Sequence, residues 1–255
     1  AEPGHAHEYV TIEGDANGYW ELGQHLAAGE DYAIFQPPRR VLRTPGFPLL
    51  LAASIKVFGK SVFAASLVMA VVGTGCCWLT WLLARKLLDE STALWAMLIV
   101  AVSPLQIGSS VQILSETQFT FGLIVCLIAL ARLLKQPREA SCGRIAFTNG
   151  ILTGLTVLVR PGWLPWTGIS AGIVVLFGKM PLAKRILCGA LIGIGCLVAL
   201  LPWAWRNHEV TGHWIFTSLW SGPSLYDGLH EGATGASDMD FFDKENVLST
   251  MSEYD

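Results

Sequence analysis

The sequence predicts an all-α, polytopic helical membrane protein with amphipathic interfacial helices in its first external loop. Three observations carry that prediction. The 255-residue chain is 52% hydrophobic and only 15% charged, where a soluble domain carries about a quarter charged residues. Its mean hydropathy is +0.48. Its charges are gathered into short loops, and six apolar stretches carry none: 61–84, 92–115, 117–131, 145–159, 161–178 and 186–205. A net charge of −3 argues against a nucleic-acid binder, which is normally basic. The cysteines Cys76, Cys77, Cys126, Cys142, Cys188 and Cys196 form no C-x-x-C pair. Five of the six lie in apolar runs, so they read as small hydrophobes rather than disulfide partners or metal ligands.

Residues 1–61 are too polar for a span and too patterned for a linker, and form the first external loop. Tyr19, Leu22, Leu26 and Ala27 recur at helical spacing behind Asp15, so 16–28 reads as an amphipathic helix lying on the membrane. Asp15 stands where a carboxylate accepts the orphan N–H groups of a helix start, and that capping role competes with a catalytic one. Pro37-Pro38 and the basic residues Arg39, Arg40 and Arg43 follow, then Pro45-Gly46-Phe47-Pro48. Beyond that turn, 48–58 reads as a second interfacial helix. Arginines on this side suit either an anionic ligand, because guanidinium forks match phosphate geometry, or lipid headgroups.

A helix needs about 20 apolar residues to cross about 30 Å of hydrocarbon, which gives six spans, at 62–84, 92–108, 116–134, 145–160, 163–178 and 186–205. The fourth and fifth are short and are joined by Arg160-Pro161-Gly162, where the proline cannot continue a helical ladder. Arg85 and Lys86 follow the first span. Arg132, Lys135, Arg138 and Arg144 follow the third, and Lys179, Lys184 and Arg185 the fifth. The connections 109–115 and 161–162 carry no Lys or Arg. The positive-inside rule therefore puts 1–61 and 206–255 outside. With both ends outside, the expectation is a fragment lacking an N-terminal anchor span and C-terminal spans. The 206–255 segment is Gly-rich, built of turns, and expected to fold onto the membrane region.

Glu116 is the lone charge between Ser91 and Ala131. Mid-membrane an acid costs about 2.5–3.5 kcal/mol, so such residues usually have a function. Its place at the external end of the third span lowers that cost, and Ser115 before it makes helix capping a competing role. Arg160 is likewise alone between Arg144 and Lys179. Asp15, Glu116, Arg43, Arg160 and Arg206 all map to the outer side. Two acids and several arginines there fit transfer of a group from a phosphate-bearing lipid, with a carboxylate as general base and guanidinium groups on the leaving phosphate. His5-x-His7 is a weak metal pattern. No Walker loop, nucleotide-binding glycine motif or nucleophile elbow is present. Gly150, Gly154, Gly189, Gly193 and Gly195 read as close helix packing.

In order, the chain shows Gly14-Asp15-x3-Tyr19, then Arg43 to Pro48, Ser115-Glu116 opening a span, Arg160-Pro161 between two spans, and Pro202-Trp203 with Arg206-Asn207 leading into a Gly-rich segment. This order resembles the membrane glycosyltransferases of the GT-C class, family 39-like. That group includes protein O-mannosyltransferases, the aminoarabinose transferase of lipid A and lipopolysaccharide sugar transferases. The resemblance implies a GT-C-like fold and inverting transfer of a sugar from a polyprenyl-phosphate donor to an acceptor hydroxyl on the outer face. It makes Asp15 the acid that activates the acceptor and Glu116 the second acid, which orients the acceptor or positions Asp15. It puts Arg43, Arg160 and Arg206 near the donor phosphate, and Tyr19 lines the substrate. Protein O-mannosyltransferases carry Asp-Glu at the first motif, whereas Ala16 follows Asp15 here, which leans towards the bacterial lipid- or polysaccharide-modifying branch.

The implied partners are a polyprenyl-phosphate-linked sugar, a lipid, polysaccharide or protein acceptor, and membrane lipids. No nucleic acid is implied. The implied place is the plasma (inner) membrane, with the site facing the periplasm or exterior. Metal use varies within the class and no clear ligand set is visible, so the expected cofactor is none, with a divalent metal left open. A transporter or flippase of anionic lipids is the alternative, set second because no internal repeat is found and the charges sit at span ends.

Overall fold

The computed structural model describes residues 15–35, 38–135, 141–230 and 233. His5, His7, Gly14, Pro37, Arg138 and the acidic segment beyond 236 lie outside the described residues. Among those described, every regular element is a helix, with a single isolated antiparallel bridge between Ile34 and Arg39. The chain divides into two compact units, 1–30 with 47–131, and 31–46 with 132–255.

In the first unit, α1 (Asp15–Ala28) and α2 (Gly46–Phe58) stand where the two interfacial helices are expected. Their close approach is set by Gly23, where an added Cβ would lie 2.8 Å from the Leu51 Cβ. The buried residues of α1 are Ala16, Trp20, Leu22 and Gly23, so the inward face is rotated from the predicted one and includes a tryptophan that the pattern did not use. Helix α3 (Val62–Leu87) starts at an N-cap in which the Ser61 Oγ accepts the Ala64 N–H at 3.3 Å. Helix α4 (Glu90–Val102) starts at Asp89, whose carboxylate accepts the Thr92 N–H at 3.0 Å and the Thr92 hydroxyl at 2.6 Å. The turn between α3 and α4 is clasped by Glu90, which accepts from Trp81 Nε1 at 3.1 Å and pairs with Arg85 at 3.2 Å.

The predicted span 92–108 is two helices. Helix α4 ends at Val102, and α5 (Pro104–Val111) leaves it at an angle of 57°. Pro104 has no N–H to offer, and its ring pushes Ser103 out of the helical region, to ψ 119. Helix α6 (Glu116–Lys135) then runs beside α3. The Cys76 thiol donates to the Thr117 carbonyl at 3.6 Å, Gly75 faces Phe121, and Cys76, Leu79 and Ile124 form a buried cluster. This register sets the start of α6 beside Gly73–Cys76, about 17 Å along α3 at 1.5 Å per residue. A span start read from sequence is taken to lie at the membrane surface, and here it lies beside the middle of a neighbouring helix.

The second unit is built on α7 (Cys142–Val157), a 3₁₀ turn (Pro161–Trp163), α8 (Pro165–Phe177) and α9 (Leu182–Thr211). Helices α7 and α9 run parallel with their backbones almost touching. A Cβ on Gly150 would lie 2.2 Å from the Ile192 carbonyl oxygen, one on Gly154 2.7 Å from that of Cys196, and one on Gly195 2.3 Å from that of Phe147. The predicted packing role holds for these three. Gly189 meets Val175 at 3.2 Å, whereas Gly193 has open space around it, because it faces away from both neighbours. Arg185 Nη1 closes the end of α8 by donating to the Val175 carbonyl at 2.8 Å. Helix α9 continues through Pro202 to Thr211 and stops at Gly212 with φ 75, the left-handed stop that glycine permits. The helix therefore outlasts the predicted span end at 205. Helix α10 (Ser221–Leu229) closes the described tail.

Among the described residues α3, α6 and α9 are each long and apolar enough to cross a membrane, and α4 with α5 qualify only as one bent span. The segments expected as fourth and fifth spans are α7, of 16 residues, and α8, of 13. Phe63, Leu67, Val71 and Trp78 lie exposed along α3, and Ile194, Leu197, Val198, Leu201 and Trp205 along α9. Stripes of that length are untenable in water and ordinary against lipid. This is an all-α membrane protein.

Candidate functional site

The two acids belong to the first unit, each as the first residue of its helix. Asp15 opens α1 and is exposed, where the helix dipole favours a carboxylate. Tyr19 follows one turn later on the same face. Its ring stands edge-on to the buried Phe47, at 5.0 Å and 87°. That contact ties the Asp15 face of α1 to the start of α2. Glu116 opens α6, half-buried between the buried Ser115 and Thr117. The Ser115 carbonyl accepts the Phe119 N–H at 2.9 Å, so Ser115 begins the helix as expected, and the α3 register fixes the height of Glu116.

The three arginines belong to the second unit, and the loop 31–46 gathers them. Tyr32 is buried at its centre, and its hydroxyl donates to the carbonyls of Arg43 and Thr44, each at 3.2 Å. The Arg43 guanidinium lies over the Trp220 ring at 5.4 Å. At the other end of the loop, the Gly46 N–H donates to the Leu158 carbonyl at 2.8 Å. A Cβ on Gly46 would lie 2.5 Å from that oxygen, so the loop can seat there only with glycine. Arg160 stands two residues beyond Leu158, extended at φ −139 and exposed.

Arg206 reaches the same loop from the last turns of α9. Its Nη1 donates to the Arg40 carbonyl at 2.6 Å and to Asn207 Oδ1 at 3.2 Å, and its Nη2 donates to the Tyr32 carbonyl at 3.2 Å. Its guanidinium also lies over the rings of Trp203, at 5.1 Å, and Tyr32, at 5.5 Å. Much of its donor capacity goes to the protein's own carbonyls, which makes it a holder of the loop. The other two members of the basic trio are also occupied. Arg39 is buried at the bridge with Ile34, and Arg40 pairs with Asp31 at 2.6 Å.

The segment after α9 is fastened to this unit, as the sequence leads one to expect. Trp203 Nε1 donates to the Thr217 carbonyl at 2.6 Å, Asn207 Nδ2 to that of Ile215 at 2.8 Å, and the Leu219 N–H to that of Val41 at 3.1 Å. These bonds bring Trp220 under Arg43. Sequence reasoning missed Tyr32 and Thr44, whose contacts depend on loop closure. It had Trp203 only as an interfacial anchor, and Asn207, whose buried amide follows Arg206 directly, only as part of a motif. Among the described residues no group of three or more His, Cys, Asp or Glu side chains is arranged to hold a metal ion.

Residues 42–205 match the family model described as dolichyl-phosphate-mannose-protein mannosyltransferase. The chain is similar to the undecaprenyl phosphate-alpha-4-amino-4-deoxy-L-arabinose arabinosyl transferase of Pseudomonas aeruginosa (strain UCBPP-PA14), 27% identical over 212 residues, which is 79% of this chain and 38% of that protein. The proteins of the same name from Pseudomonas aeruginosa (strain LESB58), 27% identical over 210 residues, and Pseudomonas paraeruginosa (strain DSM 24068 / PA7), 26% identical over 212, are covered to the same extents. The chain thus spans 38% of the length of these curated relatives. No solved structure matches it.

Proposed function

The chain belongs to the dolichyl-phosphate-mannose-protein mannosyltransferase family, and from that membership we propose that it acts in a membrane glycosyltransferase that moves a sugar from a polyprenyl-phosphate donor to an acceptor hydroxyl on the outer face. The names of its relatives favour an undecaprenyl-phosphate carrier and an amino sugar. The observation that carries the reading is that the loop 31–46 carries Arg43, is held by Arg206 from α9, and is bonded at Gly46 to Leu158, two residues before Arg160, in a chain whose two singled-out acids each open a helix.

In the proposed step the acceptor oxygen attacks the anomeric carbon from the face opposite the phosphate. The new C–O bond forms as the bond to the phosphate oxygen breaks, with inversion, and the polyprenyl phosphate leaves with the electron pair. The acceptor proton passes to Asp15. Arg43 and Arg160 balance the charge that grows on the leaving phosphate. Arg206 holds the loop that presents Arg43, alongside any direct contact with phosphate. Glu116 orients the acceptor or positions Asp15, and Tyr19 lines the acceptor path. With guanidinium groups supplying the positive charge, the reaction proceeds without a divalent metal. The place of the enzyme is the inner membrane, with this chemistry on its periplasmic side.

The test is transfer of radiolabel from polyprenyl-phosphate sugars to total envelope acceptors in nanodiscs, comparing the protein with its Asp15→Asn variant. Label that moves only with the original residue supports the reading. Retained activity in Asp15→Asn removes Asp15 from the chemistry, and lipid movement across the bilayer without sugar transfer replaces the enzyme with a flippase.

A further inference from the structure

A second place on the first unit carries opposite charges across a cavity. The C-terminal ends of α1 and α2 enclose an open hollow of about 500 Å³, lined by Gln24, His25 and Glu30 from the α1 side and Ile55, Lys56 and Lys60 from the α2 side. Both helices end in left-handed glycines, Gly29 and Gly59, each at φ 77. On one wall, Glu30 is folded back by its N–H, which donates to the His25 carbonyl at 2.9 Å, and its carboxylate lies 3.9 Å from His25 Nε2. On the other wall, Lys56 lies in the last turn of α2 and Lys60 just past Gly59. Val57 and Phe58, at the end of the helix that the sequence already reads as interfacial, and Phe63, at the start of α3, are exposed close along the chain to Lys56 and Lys60.

Lysines at a helix C-terminus have an ordinary explanation in the helix dipole. That explanation does not account for a hollow between them and a carboxylate, next to an apolar edge. A headgroup with a phosphate alone would use only the lysine wall, and would bring its negative charge towards Glu30 and the carbonyl-bearing end of α1. A headgroup carrying both a phosphate and a primary ammonium is matched on each wall, with the phosphate on Lys56 and Lys60 and the ammonium on Glu30 and the α1 carbonyls. We propose that this hollow is a binding site for the zwitterionic headgroup of an aminophospholipid, whose acyl chains run along Val57, Phe58 and Phe63. The site is independent of the sugar-transfer reading.

The experiment is a native mass spectrometry titration of the full chain, stripped of lipid in detergent. The probes are dihexanoyl phosphatidylethanolamine, phosphatidylglycerol, phosphatidylcholine and inorganic phosphate. The ethanolamine lipid is expected to bind tightest. Combined Lys56→Gln and Lys60→Gln should weaken it at least tenfold. Glu30→Gln should lower its preference over phosphatidylglycerol at least fivefold while phosphatidylglycerol binding is kept or raised. Ala28 also lines the hollow, and Ala28→Trp, which fills it and leaves every charge in place, should also weaken binding and serves if the lysine variant fails to fold. Equal binding of phosphatidylglycerol or phosphatidylcholine overturns the ammonium contact. Inorganic phosphate binding as tightly as the lipid overturns the lipid assignment, and unchanged binding in the lysine and Ala28→Trp variants overturns the site. Because the readout is binding, loss of sugar transfer elsewhere leaves the result unaffected.

Discussion

Replacing Arg206 with alanine removes donors from three acceptors at once, the carbonyls of Arg40 and Tyr32 and the Asn207 side chain, at 2.6, 3.2 and 3.2 Å. The guanidinium is half-buried and water can reach the vacated space, so each lost bond counts at the modest net value of about 1 kcal/mol, and the two that reach the loop make roughly 2 kcal/mol together. That equals about a thirtyfold rise in the open population of the 31–46 loop. The readout is amide hydrogen exchange of the loop, where the Ile34, Arg39 and Gly46 N–H groups are bonded and exchange only on opening. Arg206→Lys separates two roles. An ammonium keeps the charge but satisfies one carbonyl at a time, so exchange should stay raised by about fivefold. A lysine variant with raised exchange and normal transfer would show that Arg206 does not act through the loop. Exchange within threefold of the original protein in Arg206→Ala would refute the argument that this side chain holds the loop.

Gly150→Ala should destabilise the α7–α9 pair by about 1–3 kcal/mol, because the new methyl meets backbone that cannot rotate away. Gly193→Ala, in open helix surface, should be neutral or stabilise by about 0.5–1 kcal/mol, and thermal unfolding of the two variants gives the comparison. The Asp89 carboxyl is held below its ordinary value of 3.8, first by the Thr92 hydroxyl and then by backbone N–H groups. Its lowered value gives a contribution that is full above that ordinary value and is lost as pH falls through the lowered one. Asp89→Asn, which keeps a capping oxygen, should remove this acid dependence from an unfolding series run below pH 4, and an unchanged series would contradict it. Sugar transfer should survive exhaustive EDTA treatment; loss that added divalent metal restores would overturn the proposal that arginines supply the positive charge.

The helices that the sequence located best are those whose ends are marked locally. Helix α2 begins within the Pro45–Pro48 turn and α3 at a serine before an uncharged run, so both lie close to the expected ranges. The α4–α5 break lay inside an uncharged run, and counting charges passes over the effect of Pro104 on Ser103. Helix α9 was cut short at a proline and a tryptophan pair, yet a long membrane helix tolerates proline where neighbours satisfy the freed carbonyls, and the real stop is Gly212. At the candidate site, helical spacing was enough to put Tyr19 on the face of Asp15. It could not divide the basic trio, because only the closed loop sets Arg40 on Asp31 and buries Arg39. Nor could it foresee a bond between Arg206 and Tyr32, which are 174 residues apart.

The register of α6 against α3 decides where wetness must reach. Helix α3 carries no charge from Val62 to Ala84 and shows apolar side chains to its surroundings on both sides of the Gly73 level, so oil surrounds it above and below the height of Glu116. A carboxyl group at that height needs water, a polar guest or polar groups of the protein around it. Water or a guest that reaches Glu116 has to pass about three turns of α3, so its path is a damp notch running down from the headgroup plane. Under the proposed function, hydroxyls descend that notch to meet the lipid-borne sugar, and its carrier reacts without climbing out of the bilayer.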